Sequence, residues 1–189
     1  MEHRHHLKKR ERTHRAIMHS AKLLFEKKGI GNVTIDQISE NADISRSTFF
    51  THFSSVDDLL NQIADEEIKD ILTAARSEDG LIISALFSRL NKDTYPYPNL
   101  MLDLFIRSIL YNGNNAVSGI DTVMTNEIRA DGYAKLKQQF KAEDISAFIL
   151  GSYFGLIFRK FINNEPFDDR DETNEKIQKF INFLKDQEE

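Results

Sequence analysis

The sequence predicts an all-α protein, with an N-terminal three-helix domain followed by a larger C-terminal helical domain. Only 3 prolines and 8 glycines occur among 189 residues, so residues that interrupt helices are scarce. Apolar residues recur at the spacing of helix faces, and no segment alternates with the period of two that is typical of strands. We place the boundary between residues 54 and 55, so that 1–54 form the N-terminal domain and 55–189 the C-terminal domain.

The first predicted helix has an apolar stripe and a clear end. Four apolar side chains follow the pattern i, i+4, i+7 and i+8, and these are Ile17, Ala21, Leu24 and Phe25. Gly29 follows the last of them and can adopt a positive φ without strain, which favours a helix end there. The charged residues before this stripe are expected to form an N-terminal arm.

Two short helices separated by a three-residue turn follow. Thr34 and Gln37 have the spacing of a capping box, which places the start of the second helix at Thr34. Ser45 is the expected N-cap of the third helix. The turn between them is 42–44, where Asp43 is the residue that tolerates the left-handed conformation. This arrangement predicts a helix-turn-helix.

The C-terminal domain is predicted to contain six further helices. The fourth helix of the chain runs from Ser55 to about Arg76, and Asp57 and Asp58 lie in its first turn, where they complement the helix dipole. The other helices are expected at about 80–91, 98–112, 116–140, 143–164 and 171–187.

Charge is distributed unevenly along the chain. Residues 1–28 contain nine Lys/Arg and three Asp/Glu, whereas residues 61–189 contain 15 Lys/Arg and 22 Asp/Glu, in a chain of net charge −5. A basic end on an acidic body indicates a surface that faces DNA. On charge alone, a solvated basic helix without a partner fits equally well.

The sequence predicts a cytoplasmic protein that does not cross a membrane. It has no cysteine, as is usual in reducing compartments, and 1–15 contain no apolar core of a signal peptide. The longest uncharged apolar stretch, Ile145 to Phe158, has 14 residues, which is shorter than the roughly 20 needed to span a bilayer.

The residues of the third helix suit contact with DNA, since the second helix of such a motif lies in the major groove. Arg46 can donate two hydrogen bonds to guanine, and Ser47 and Thr51 can contact a base edge or a phosphate. Thr48 and His52 are candidates for phosphate contacts. The full set of predicted DNA-binding residues is Thr34, Ser45, Arg46, Ser47, Thr48, Phe50, Thr51 and His52, with Lys8 and Arg10 from the basic arm.

The region from Ile17 to Leu60 resembles the TetR family of transcription regulators. The shared pattern is Ile17-x3-Ala21-x2-Leu24-Phe25-x3-Gly29, Val33-Thr34-Ile35-x2-Ile38, Ala42-Asp43-Ile44-Ser45-x2-Thr48-Phe49-Phe50-x-His52-Phe53 and Asp57-Asp58-Leu59-Leu60. The resemblance implies a homodimeric repressor that binds a pseudo-palindromic double-stranded DNA operator and leaves it when a small-molecule effector binds.

Three positions depart from that family pattern. Asp43 stands where Gly is usual, Phe50 where Tyr is usual, and Val56 where Lys is usual. The last two changes remove a hydroxyl and a cation suited to phosphate contacts, which predicts weaker binding to DNA. The alternative function is therefore a TetR-like adaptor or ligand-binding protein with weakened or lost DNA binding.

The last two helices are the predicted dimer interface, because the resemblance implies a four-helix bundle between subunits. The 143–164 helix is apolar almost all round, and a helix of this kind needs cover on more than one face. Its glycines, Gly151 and Gly155, would allow a second helix to approach closely, but they fit ordinary packing within one subunit equally well. The predicted interface residues are Phe148, Gly151, Gly155, Ile177, Phe180, Ile181 and Leu184.

An effector pocket is expected in the C-terminal domain, where aromatic residues are frequent. Apolar pockets with a few polar groups are the usual ligand sites, although aromatics at helical spacing are also typical of an ordinary core. Arg107 could pair with an anionic or polar group of a ligand. The predicted pocket residues are Phe105, Arg107, Tyr111, Phe154 and Phe158.

Other functional classes find little support in the sequence. It contains no phosphate-binding loop, dinucleotide-binding turn, zinc-protease motif or nucleophile elbow, so we expect neither an enzyme nor a cofactor. His3, His5 and His6 are clustered and could bind a metal, but a disordered arm is the preferred interpretation and no metal site is predicted.

Overall fold

A computed structural model describes residues 2–75, 82–110, 116–130 and 133–185 of the chain. Over these residues it contains helices and no strand, which confirms the predicted all-α class. The helices are α1 (Glu2–Lys28), α2 (Ile35–Asn41), α3 (Arg46–His52), α4 (Val56–Ala75), α5 (Ile82–Thr94), α6 (Pro98–Leu110), α7 (Ala116–Ala130), α8 (Ala134–Lys137), α9 (Ala142–Asn163) and α10 (Arg170–Lys185), with a short 3₁₀ helix at Ile30–Asn32.

The first compact unit comprises residues 1–66 and 97–112. Its core is built from the apolar stripe of α1, the inner faces of α2 and α3, and the first turns of α4. Leu100 of α6 is fully buried in the same core. Glu26 of α1 fixes the start of α6, since its carboxylate accepts hydrogen bonds from the Asn99 side chain at 2.6 Å and from the Leu100 backbone N–H at 3.0 Å.

The second compact unit comprises residues 67–96 and 113–189. Its core is formed by the second half of α4 together with α5, α7, α9 and α10. Tyr153 of α9 is fully buried beside Phe87 of α5, with ring centroids 5.4 Å apart. These units do not test the functional domains 1–54 and 55–189, which remain a prediction.

Two features of the chain differ from the sequence-based expectation. The basic arm is not separate from the first helix, because α1 already begins at Glu2 and has no proline or glycine to interrupt it. The expected helix at 116–140 is divided into α7 and α8. Tyr133, immediately before α8, has a φ of 59°, a left-handed conformation that ends regular helix geometry.

The helix α9 is the longest apolar element, with 22 residues. By length and composition alone it could cross a membrane, and it is the one helix in the described ranges for which this holds. One of its faces is packed into the core of the second unit through Ile145, Ile149, Tyr153 and Ile157.

Candidate nucleic-acid interface

The two helices of the helix-turn-helix begin as their capping residues predict. The Thr34 hydroxyl accepts a hydrogen bond from the Gln37 backbone N–H, and the Gln37 side chain accepts one from the Thr34 N–H, which completes the capping box. The Ser45 hydroxyl accepts from the Thr48 N–H at 3.1 Å and caps α3. Asp43 has a φ of 52°, so the turn has the left-handed residue that was predicted.

The helix α3 has one buried face and one exposed face. Phe49 and Phe53 are 0% and 1% exposed, and their rings lie 5.7 Å apart in the core of the first unit. Phe50 is 48% exposed on the opposite side. Its exposed neighbours on the same helix are Arg46, Ser47 and Thr51. The packing of two phenylalanines therefore turns the predicted DNA-contacting side chains toward solvent.

Hydroxyl groups at the start of α3 hydrogen-bond to one another. The Ser45 hydroxyl lies 2.8 Å from the hydroxyls of both Ser47 and Thr48. The Thr51 hydroxyl donates to the Thr48 carbonyl at 2.6 Å. Because Thr51 uses its one hydroxyl hydrogen for Thr48, donating to DNA must replace that bond, whereas the hydroxyl oxygens of the group can still accept.

Arg46 is the only Lys or Arg in α3 and is held by two neighbours. Its Nη1 donates to both carboxylate oxygens of Asp36 in α2, at 2.9 and 3.1 Å. Its guanidinium carbon lies 5.7 Å from the centroid of the Phe50 ring, within the range of a cation–π contact. The sequence analysis identified Arg46 and Phe50, but not Asp36, whose position opposite Arg46 depends on how α2 and α3 pack.

The basic part of α1 adds positive charge to the first unit. The side chains of Lys8, Lys9 and Arg10 are exposed. Arg15 forms an exposed ion pair with Glu11 at 2.5 Å. The predicted contacts of Lys8 and Arg10 with DNA are therefore assigned to a helix rather than to a disordered arm.

His52 ends α3 and lies among aromatic and basic groups. Its ring centroid is 5.7 Å from that of His14, which stacks on Phe53 at 4.6 Å. Burial, together with the charges of His14 and Arg10, lowers the pKa of His52 below its usual value. In the free protein the imidazole is therefore mainly neutral at pH 7.

We expect this histidine to make DNA binding dependent on pH. A phosphate placed next to His52 favours the imidazolium, so binding takes up a proton and affinity rises as the pH falls from 8 toward 6, by at most about tenfold per pH unit per proton. The slope should be reduced in His52→Gln and retained in His19→Gln. Equal slopes in both variants would contradict a phosphate contact by His52.

The predicted effector residues lie in both compact units. Phe105 and Arg107 are on α6, and the guanidinium of Arg107 donates to Asp57, at the start of α4, at 2.8 Å. Phe154 and Phe158 are on α9, with ring centroids 6.4 Å apart. Tyr111 lies outside the described residues. The role of these residues in ligand binding remains a prediction.

The four residues predicted for the dimer interface on α10 are buried or partly buried within the second unit, and their role in an interface stays a prediction. Ile177 and Ile181 are 1% and 0% exposed, because they pack into the core of their own second unit. Phe180 and Leu184 are partly buried against the same core. Phe183, which was not predicted, is 59% exposed. The apolar stripe of α10 thus packs against the core of its own chain, whereas Phe183 faces solvent.

One face of α9 exposes large apolar side chains, and the predicted interface residue Phe148 is among them. Phe148 and Ile162 are 53% and 78% exposed. At Gly151 and Gly155 an added Cβ would meet no atom of the described residues within 4 Å, so neither glycine is required for packing against that part of the chain.

The described residues contain no group of three or more potential metal ligands. The side chains of His3, His5 and His6 lie outside the part of the chain that is described.

Residues 17–63 match the model of the bacterial regulatory proteins of the tetR family. None of the curated proteins matches this chain. Among solved structures, the fatty acid degradation regulator FadR from Bacillus halodurans has a TM-score of 0.69 and 12% identity, with 91% of this chain and 94% of that chain covered.

Two further solved structures have the same fold. A transcriptional regulator of the TerR/AcrR family from Aquifex aeolicus VF5 has a TM-score of 0.63 and 19% identity, with 91% and 99% of the two chains covered. NalD, the secondary repressor of the MexAB-OprM multidrug efflux pump in Pseudomonas aeruginosa, has a TM-score of 0.62 and 15% identity, with 91% and 96% covered. At these identities the similarity establishes the fold.

The described residues have the all-helical fold of these solved regulators, with a helix-turn-helix in the first unit. The match of residues 17–63 to the model of the tetR family confirms the resemblance seen in the sequence.

Proposed function

We propose that the protein is a homodimeric transcriptional repressor that binds a pseudo-palindromic operator and leaves it when a small-molecule effector binds. The observation that carries this proposal is the exposed face of α3, where Arg46, Phe50 and Thr51 lie opposite the buried Phe49. A short helix with this division of faces is suited to the major groove.

Binding to DNA is tested first with the fragment upstream of the protein's own gene and a scrambled fragment, at two salt concentrations. We expect tighter binding to the upstream fragment, and a loss of affinity with salt because phosphate contacts release counterions. Equal affinity for both fragments requires a search of randomised DNA for the operator. If neither fragment nor any selected sequence is bound, the adaptor alternative is favoured.

The repressor part of the proposal rests on analogy with relatives of the same fold. NalD is a repressor, and another solved structure of this fold is a gamma-butyrolactone receptor. We infer an apolar small molecule as the effector, because the second unit is rich in aromatic side chains. Release of a labelled operator by such a compound is the measurement, and the absence of any effect across a chemically diverse panel counts against effector control.

A mechanism for release follows from the path of α4. This helix contributes residues up to Glu66 to the first unit and residues from Glu67 onward to the second. The Arg107–Asp57 ion pair joins α6 to the first turn of α4 inside the first unit. We infer that an effector acts by displacing α4, and that the spacing of the two recognition helices in the dimer then no longer fits the operator.

The exposed face of α9, formed by Phe148, Gly151, Gly155 and Ile162, is proposed as the dimer interface. Large apolar groups are exposed at its two ends, and the glycines between them allow a second helix to approach closely. A two-fold dimer would supply two copies of α3, and an operator with two half-sites about 34–36 Å apart requires two such helices.

A charge placed in that face is expected to separate the subunits. Ile162→Asp should give the mass of one 21.9 kDa chain in sedimentation, whereas the wild type gives twice that mass. The matched control is Leu23→Asp, since Leu23 is an exposed apolar residue of α1 at 46% exposure. A dimer that persists in Ile162→Asp at micromolar concentration would refute the proposed face.

A further inference from the structure

The contact between Asp36 and Arg46 joins the two helices of the helix-turn-helix on their exposed sides. One guanidinium nitrogen, Nη1, donates to both oxygens of the Asp36 carboxylate, at 2.9 and 3.1 Å. The two side chains are 59% and 68% exposed, so solvent screens the pair and its contribution to stability is small. What the contact does determine is the orientation of the guanidinium.

A second contact restrains the same guanidinium from another direction. The Arg46 guanidinium carbon lies 5.7 Å from the centroid of the Phe50 ring, one turn along α3. The carboxylate holds the Nη1 end and the ring lies near the guanidinium group. In the described part of the chain, no hydrogen bond engages Nε or Nη2 of Arg46. The guanidinium edge formed by these two nitrogens is therefore available to a ligand.

The available edge has the chemistry required for guanine. Two parallel N–H groups of a guanidinium match the O6 and N7 acceptors that guanine presents in the major groove. The other acceptor that DNA offers to such an arginine is a phosphate, which carries no sequence information. A carboxylate beside the arginine repels phosphate and partly neutralises the cation, and so disfavours the non-specific contact more than the contact with a neutral base.

We propose that Asp36 is a specificity-determining residue that positions Arg46 to contact guanine rather than phosphate. The inference rests on the proposed function, because it concerns how the same surface distinguishes DNA sequences. It assigns a role to a residue of α2 that does not itself need to touch a base. Since α3 contains no other Lys or Arg, the orientation of this one side chain has a large influence on sequence preference.

The variant that tests this idea is Asp36→Asn, with Asp43→Asn as its matched control. Both changes remove one exposed carboxylate from the helix-turn-helix and keep the size of the side chain. Asparagine also tolerates the positive φ of position 43. The two variants have the same net charge, and they differ in whether the lost carboxylate holds Arg46.

The measurements are affinities for the selected operator and for a scrambled fragment. We expect both variants to bind scrambled DNA somewhat more tightly than the wild type, because a negative charge is lost. The ratio of operator to scrambled affinity should fall by about tenfold in Asp36→Asn, a value within the range for one base contact, and stay unchanged in Asp43→Asn. Loss of helix stability alone would lower both affinities together.

A second measurement locates the base. Operators that contain 7-deazaguanine at single positions lack the N7 acceptor there. At one such position the substitution should lower the operator affinity of the wild type but not that of Arg46→Ala. At that position the penalty should be smaller in Asp36→Asn than in the wild type. In the Arg46→Ala background, Asp36→Asn should no longer change the operator ratio.

The outcomes separate this inference from the proposed function. If the wild type prefers its operator and Asp36→Asn retains the full preference, Asp36 does not position Arg46 and the inference is wrong. A proportional loss of both affinities in Asp36→Asn also overturns it. If the wild type has no sequence preference on any DNA, the proposed function itself fails, and the inference fails with it.

Discussion

Replacing Phe49 by alanine is expected to unfold the first unit under mild conditions, with a loss of about 3–5 kcal/mol in the free energy of unfolding. Its side chain is fully buried among residues from α1, α2 and α4. The cavity left by the missing ring cannot be filled by these neighbours without moving whole helices. Urea denaturation followed by circular dichroism measures the loss.

Phe50→Ala provides a control at the adjacent position with the same chemical change. Phe50 is 48% exposed, so we expect a loss below about 1 kcal/mol in stability. Removing the Phe50 ring should nevertheless weaken DNA binding, because the ring contacts the Arg46 guanidinium. Similar stability losses in the two variants would show that the assignment of inner and outer faces of α3 is incorrect.

Replacing Lys160 by methionine is the second change with a large expected effect. Lys160 of α9 is 5% exposed, and its Nζ donates to the Pro166 carbonyl at 3.0 Å and to the Asp169 carboxylate. The Tyr95 hydroxyl donates to the same carboxylate at 3.1 Å. Removing the cation leaves this carboxylate without its charged partner, and we expect a loss of about 3 kcal/mol in stability.

The pH dependence of stability reports on the same cluster. Burial alone would raise the pKa of Asp169, but hydrogen bonds, chiefly from Lys160, reverse this and lower it to about 2. Because the folded-state pKa lies below the ordinary value of 3.8, this stabilisation is present above about pH 4 and is lost as the pH falls toward 2. The difference between wild type and Lys160→Met should therefore shrink over that interval.

Lys179→Met is the matched control for the buried lysine. Lys179 forms an exposed ion pair with Glu175 on α10 at 2.5 Å, and its side chain is 74% exposed. We expect a change below about 1 kcal/mol at neutral pH, because solvent screens this exposed pair. An equal loss in Lys160→Met and Lys179→Met would refute the structural importance of the buried pair.

At the alkaline end, Tyr95 gives a further check on the cluster. Its burial, reinforced by the negative charge of Asp169, raises its pKa to about 12 from an ordinary value of 10. Because the pKa of Tyr95 is raised in the folded state, the stability that its neutral hydroxyl contributes is complete below pH 10. That contribution is lost as the pH rises toward 12.

The sequence by itself determined the helix-turn-helix almost completely. The capping box at Thr34, the N-cap at Ser45 and the left-handed Asp43 all have the predicted roles. These features depend on residues three or four positions apart, and a local pattern of this kind is visible without knowledge of the rest of the fold. The family motif lies in the same segment, at 17–63.

Only the tertiary structure decided which partner each surface meets. The stripe at Ile177 and Ile181 fits a core within one chain as well as an interface between two, and packing placed it within the chain. Lys160 and Tyr95 are 65 positions apart, and Asp36 and Arg46 ten. A charge pattern does not show which distant groups will meet, since that depends on helix packing that the local helical period does not encode.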